Sequence, residues 1–460
     1  MELENNNINK LARNKTVLEI NLQKINKIII SDNKAELNNF IKDLHNADIA
    51  EIIQNLDYEN RLNFIFKIKS YFDPEILTYL NESIRDEIIE SLDIKQLASN
   101  ARELDVDDAV DVIKDLEESD QEVFLQNIPE IDRKLIKEGL KYPEDSAGRL
   151  MQREFVAVNC LWNVGDAIDF LRKNKNSLPD DFYEIYLIDH NNKIVGTVPL
   201  GRIMGSKRSI LLENIKNKKT RTINVLTDQE EVAYQFTKYA MVSAPVINEK
   251  YEIIGSVTVD DVVDVIEEER EEDILKLGGV GQADIYDAVV DTTKSRFSWL
   301  LVNLLTAVIA SVVIGFFQAS IEKVVALAVL MPIVASMGGN AGTQTLTVSV
   351  RALATKELTP SNAVKIIMKE TFVGGINGII FAIIIGLLST YWFSNYLLGS
   401  VIAMAMIFNL IIAGMAGILI PLTLHKFNID PALASGVILT TITDVCGFLS
   451  FLGLASIVLI

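Results

Sequence analysis

The sequence predicts a multidomain membrane protein: a long acidic region, first helical and then α/β, followed by an all-α domain of five membrane spans. Three observations predict it. Charge is divided unevenly. Of 43 Lys and Arg and 62 Asp and Glu, residues 1–291 hold 35 and 57, a net of −22, whereas the last 169 residues come to +3. Hydropathy follows the same division. After Arg296 five apolar stretches, 297–318, 324–350, 371–393, 397–424 and 432–460, each reach the ~20 residues that a bilayer core requires. The acidic region, in turn, is built from internal repeats.

The composition excludes several functions. Nucleic-acid binding needs basic surface to neutralise phosphate, and the acidic region points to cations instead. Cys160 and Cys446 are far apart and fit no redox or metal spacing, and His45, His190 and His425 are equally scattered, which argues against a disulfide scaffold, thiol catalysis and a zinc site. No phosphate-cradling glycine loop of the P-loop type occurs, so ATP hydrolysis is not the energy source and no enzyme activity is expected.

In chain order, residues 1–34 are polar and Asn-rich at the start, lack a signal-peptide pattern and are expected to form a flexible tail. Residues 35–145 show short amphipathic periods of i, i+3, i+4 and i+7. Leu44, Asp48 and Leu56 recur 60 residues on as Leu104, Asp108 and Leu116, which favours stacked helix pairs in a small superhelix. The acids Asp105, Asp107, Asp108 and Asp111 read, taken alone, as a helix cap and a solvated face.

A second repeat follows. Tyr-Leu-Ile-Asp189 with Lys193-Ile-Val-Gly196 returns as Pro-Val-Ile-Asn248 with Tyr251-Glu-Ile-Ile-Gly255, each reading strand, polar turn, strand with a glycine, then helix. The pair, assigned to 146–205 and 206–264, resembles tandem CBS domains, and that resemblance implies a cleft suited to ATP or another adenine nucleotide. Residues 265–294 connect it to the first span. Helix is unbroken from Val262 to Leu277, where Gly278 and Gly279 end it, and Glu267, Glu268, Glu269, Glu271, Glu272 and Asp273 crowd into seven residues. This is either a solvated linker or an ion-sensing joint whose acids, facing Asp228, Glu230 or the Asp105–Asp111 cluster, would need cations between them.

In the membrane region, residues 295–460, Lys294, Arg296, Arg351, Lys356, Lys365, Lys369 and Lys426 lie on one side and only Lys323 on the other. This places the acidic region in the cytoplasm and the C-terminus outside the inner membrane. Asp444 is the one ionisable residue well inside a span. Such a charge marks a pathway, and Thr440 and Thr441 share its small, polar face. In the second span Pro332 and the run Gly338-Gly339-Asn340-Ala-Gly342 are expected to break the helix, with Gly339 and Asn340 at the pore. Asp430 begins the fifth span at its mouth. All these donors are oxygens, which favours Mg2+, Ca2+ or Mn2+.

The order of helical acidic domain, CBS pair, acidic helix and five spans resembles the MgtE-type magnesium transporters. So do the segments Gly338-Gly-Asn-Ala-Gly-Thr-Gln344 and Asp430-Pro-Ala-Leu-Ala-Ser-Gly-Val-Ile-Leu-Thr-Thr-Ile-Thr-Asp444. The resemblance implies a homodimeric Mg2+ channel with its pore between the second and fifth spans, Asp444 as selectivity carboxylate, and the acidic helix as a plug. It implies closure by cytosolic Mg2+ bridging the plug acids Asp261, Asp264, Glu272 and Asp273 to Asp105 and Asp108, with Asp228 and Glu230 at matching positions. Glu268, Glu269 and Asp430 join them as expected metal ligands. A divalent-cation antiporter and a non-transporting ion or nucleotide receptor are the other readings.

Overall fold

The computed structural model of this chain describes Leu22, Lys24, Ile25 and Ile28 together with residues 34–69, 72–100, 104, 106–114, 116–179, 182–280 and 289–459. It divides into two units, Met1–Glu267 and Glu268–Ile460.

The first unit opens with short helices, among them Asn46–Asn55, Tyr58–Ile68, Glu82–Ser91, Val106–Lys114, Glu118–Asn127 and Glu130–Gly139. Their ends follow from local chemistry; Asp57, for example, accepts a hydrogen bond from the Asn60 amide at 3.0 Å and so starts the helix after it. Their apolar faces converge on one core that includes Ile53, Phe64, Leu77, Ile88, Ile113 and Phe124. Paired packing is present as expected, with Asn46–Asn55 against the 3-10 turn Pro74–Tyr79 and Val106–Lys114 against Glu130–Gly139. The tail expected over residues 1–34 needs a correction. Ile25 and Ile28, three residues apart and therefore on one helical face, are buried in this core, so the domain reaches back at least to Ile25. The first 21 residues and Asp105 lie outside the described residues.

The α/β part consists of two three-stranded sheets, β1 (Ala157–Asn159), β2 (Glu184–Ile188) and β3 (Ile194–Pro199), then β4 (Ile223–Asn224), β5 (Ser243–Ile247) and β6 (Ile253–Thr258). In each the first two strands are parallel and the last two form an antiparallel hairpin. The repeat holds down to the bulge: Leu187 pairs Gly196 and Val246 pairs Gly255, with the register shifting at the next residue in both. At the hairpin tips, Asp189 accepts from the amides of Asn191 and Lys193, and Asn248 accepts from those of Lys250 and Glu252. The segments that lead into each repeat are exchanged. Ala147 and Met151, expected in the first repeat, lie in the core of the second, and Leu212, expected in the second, lies in the core of the first. Backbone pairing of Gln152 with Ser256 explains the first exchange, and Gly255 is required there because a Cβ would stand 2.9 Å from the Gln152 carbonyl.

The helix Val259–Leu277 starts directly after β6 and ends as expected. Gly279 adopts φ +69, and the amide of Val280 reaches back to the Leu275 carbonyl at 3.0 Å.

The second unit contains the helices Val289–Gly315, Ala326–Ala354, Ala363–Phe393, Tyr396–Lys426 and Pro431–Val458, all long and apolar enough to cross a bilayer. The expected break in the second span is absent: Ala326–Ala354 runs as one helix through Pro332. Pro332 removes a single backbone bond near the helix start, and Gly338 and Gly342 serve packing instead. A Cβ at Gly338 would overlap Asn409, and one at Gly342 would stand 2.9 Å from Leu439. The third span begins at Ala363 rather than 371, since helix continues through the turns that carry Lys365 and Lys369.

Candidate ion pathway

Two contacts fix the depth of the second span against its neighbours. Gly342 meets Leu439 of the fifth span, while Gly338 meets Asn409 of the fourth, which also touches Gly447 of the fifth. Asp444 lies between Leu439 and Gly447, so it stands level with Gly339 and Asn340 across the antiparallel pair. Its half-buried carboxylate has no ionic or hydrogen-bonding partner among the described residues. About one turn before it in the helix, the Thr440 hydroxyl donates to the Gly436 and Val437 carbonyls at 3.1 Å, and Thr441 donates to Val437 at 2.7 Å. With each proton directed back into the helix, the hydroxyl oxygens keep their lone pairs for a cation or its waters. Gly339 borders open space. Asn340 is exposed, and with Ser336, Thr343 and Thr347 it forms an exposed polar stripe at i, i+4, i+7 and i+11, residues that the sequence reasoning left unassigned apart from Asn340. Thr343 and Thr347 likewise donate back to the helix, to the Gly339 and Thr343 carbonyls.

At the start of the fifth span Asp430 does two things. Its Oδ1 accepts from the Ala432 amide at 2.8 Å, capping the helix, and its Oδ2 accepts from Lys276 Nζ at 2.7 Å. Lys276 also pairs with Glu272 at 2.6 Å. Burial pushes the Asp273 carboxyl above the ordinary range, helped by the nearby Asp430 and Glu272 charges and opposed by Lys276. The acids expected to await a metal here are thus held by an internal ammonium group.

In the first unit the charges of several acids act on one phenol. Tyr79 donates to Glu75 at 3.1 Å, and its hydroxyl is pushed up to about 12 by burial and by the charges of Glu75, Asp108 and Asp264. Asp264 is itself raised, by burial and then by Glu267 and Asp260. Glu75 was not foreseen; the one sequence signal is its place in Asp73-Pro74-Glu75, an acid at the start of a capped turn. The other expected ligands sit apart. Asp228 caps the helix Gln229–Tyr239 by accepting from the Glu230 amide, and both residues are exposed. Asp261 accepts from Thr258 at 2.7 Å and Gln152 at 3.2 Å, while Glu268 and Glu269 lie on the connecting helix. Among the described residues no three His, Cys, Asp or Glu side chains gather closely enough to hold a metal ion by themselves.

Comparison with known proteins bears on the whole chain. Residues 331–454 match a family model described as divalent cation transporter, residues 44–145 the MgtE intracellular N domain, and residues 212–268 the CBS domain. The magnesium transporter MgtE of Thermus thermophilus is 30% identical over 91% of this chain and 94% of its own length. The chain belongs to the MgtE family of magnesium transporters. The MgtE of Bacillus subtilis is 28% identical over 90% of this chain and 92% of its own. A solved cytosolic domain of the Mg2+ channel MgtE in complex with ATP covers 53% of this chain and 99% of its own length at 24% identity, with a TM-score of 0.48. As an MgtE-family member the chain is a multi-pass membrane protein that transports magnesium. The matched CBS range covers only the second repeat, yet the first shares its strand order, register and bulge.

Proposed function

We propose that this chain forms a Mg2+-selective channel that imports Mg2+ down the membrane potential and is closed by cytosolic Mg2+. The exposed stripe of Ser336, Asn340, Thr343 and Thr347, level with Asp444, carries the pore reading. Facing lipid, the Asn340 side-chain oxygen and the lone pairs left on the hydroxyls, whose threonine protons bond back into the helix, would meet only hydrocarbon. A twofold dimer that sets two second and two fifth spans around one axis covers the stripe and supplies two Asp444 carboxylates. Such a site suits an ion that keeps much of its water and takes one or two carboxylates. A potential of 100 mV gives a divalent ion about 4.6 kcal/mol of inward drive, so a gate is needed rather than a pump. The seven-to-one distribution of basic residues supports a cytoplasmic acidic region and an external C-terminus in the inner membrane.

For the gate, Asp108 and Asp264, whose charges act with that of Glu75 on Tyr79, are where a hydrated cation would join the helical domain to the connecting helix, with Asp105 three residues before Asp108. Glu268, Glu269, Glu272 and Asp273 extend the anionic surface along the connecting helix, and Asp228 and Glu230 offer further carboxylates. Each site occupied at tenfold its dissociation constant contributes about 1.4 kcal/mol, so four or five suffice for the roughly 5.5 kcal/mol that swings a gate from 1:99 to 99:1. The two equivalent three-stranded sheets of the CBS pair support an adenine nucleotide bound between the repeats. The test is Mg2+ uptake into proteoliposomes at a fixed inside-negative potential. Asp444→Ala should lower uptake at least about tenfold while the protein still inserts, since the permeating ion loses its carboxylate ligand and about 1.4 kcal/mol already amounts to tenfold. Normal uptake by that variant contradicts the pore assignment.

A further inference from the structure

Asn409 lies midway along the fourth span and is fully buried. Its Nδ2 donates to the Val334 carbonyl of the second span at 2.8 Å, and its Oδ1, shielded from solvent, has no hydrogen-bond partner among the described residues. The amide occupies a slot formed by glycines on two other spans. A methyl group at Gly338 would overlap Nδ2, and one at Gly447 would come within 2.9 Å of it. An apolar residue with glycine neighbours would fill the slot without leaving a carbonyl oxygen unsatisfied in hydrocarbon. The residue type is therefore explained by what its N–H bond does.

That bond ends on a carbonyl whose own helical donor is the amide of Gly338, four residues on, so it acts on the turn that leads into Gly339 and Asn340. On its other flank Asn409 touches Gly447, three residues past Asp444 and less than one turn away. One side chain of a span outside the proposed pore thus bears on both pore-lining spans at the depth of Asp444.

We propose that Asn409 is a positioning residue that sets the separation and register of the Gly339–Asn340 and Asp444 faces, and through them the choice among divalent cations. The proposal rests on the pore reading above. It is tested by the ratio of Ca2+ to Mg2+ uptake in proteoliposomes of the full-length protein, because the two ions differ in size and in how readily they shed water. Asn409→Ala should change that ratio about three- to tenfold, the range that one hydrogen bond is worth. Adding Gly338→Ala refills the slot, so the double variant should regain the wild-type unfolding midpoint while keeping the altered ratio. An unchanged ratio in Asn409→Ala, or a ratio restored by refilling alone, overturns the proposal by reducing the amide to a spacer. Where the single variant does not insert, the refilled double variant alone decides, and a wild-type ratio in it overturns the proposal. Asp444→Asn separates the two readings. If it transports normally, the pore reading and this one fall together; if it loses uptake while both Asn409 variants keep the wild-type ratio, only this one fails.

Discussion

Lys276 determines how the acidic end of the connecting helix is held. Burial opposes its charge, but hydrogen bonds to Asp430 and Glu272, with the attraction of both carboxylates, outweigh it and raise the ammonium pKa. A lysine pKa raised on folding contributes stability fully below its ordinary value and loses it only as pH rises through the higher folded one, so the contribution is undiminished at neutral pH. Lys276→Met should lower stability at pH 7 by about 1 kcal/mol without divalent ions, since the pairs are partly exposed. Millimolar Mg2+ should restore it by taking the ammonium's place among Glu272, Asp273 and Asp430. Thermal unfolding in detergent with and without Mg2+ checks both, and an unchanged midpoint without Mg2+ contradicts the latch. In sequence Lys276 shows only its i,i+4 relation to Glu272. Asp430 is 154 residues away, and nothing local reveals the pairing. Glu75 escaped notice for a similar reason: its meaning comes from Tyr79, Asp108 and Asp264, which the fold assembles.

At the scale of elements, glycine carries two meanings that composition does not separate. Gly374 and Gly414 join the third span to the fourth, because a Cβ at either would stand 2.5 Å or 2.7 Å from a backbone carbonyl of the other helix. Gly339 borders open space in the same membrane domain. Gly374→Ala should therefore destabilise the protein by about 1–3 kcal/mol, the usual cost of overpacking against an atom that cannot move aside. Gly339→Ala should change stability by no more than about 0.5 kcal/mol yet reduce Mg2+ uptake by narrowing the pathway. Unfolding midpoints and uptake of the two variants check this, and the reverse pattern contradicts the placement of Gly339. The same ambiguity explains the second span. Pro332 with three glycines reads as a broken helix, but Gly338 and Gly342 are small to admit Asn409 and Leu439. Existence and order of the spans were legible because apolar runs of that length have few alternatives; which face each glycine serves depends on partners far along the chain.

In the whole molecule, repetition and charge made the architecture readable. The CBS repeats announce themselves through Gly196 and Gly255 and through Asp189 and Asn248, whose side chains close equivalent turns. The exchange of the segments at Ala147–Met151 and Leu212 was hidden, because each pairs with backbone of the other repeat and leaves no local pattern. Within the first unit the charges of Glu75, Asp108 and Asp264 all act on Tyr79, and the Asp264 carboxyl, raised by burial and by Glu267 and Asp260, is one that a divalent cation would relieve. The central claim, a passive Mg2+ pore shut by Mg2+ at these acids, is tested most directly by patch-clamp of the reconstituted full-length protein. Mg2+ is the only permeant cation, and its concentration is stepped on the face that bears the soluble domains. The account predicts unitary inward currents that vanish as Mg2+ on that face rises, and that persist to higher Mg2+ in Asp264→Asn. Uptake that depends on a counter-ion and gives no unitary current, or currents indifferent to Mg2+ on that face, would contradict it.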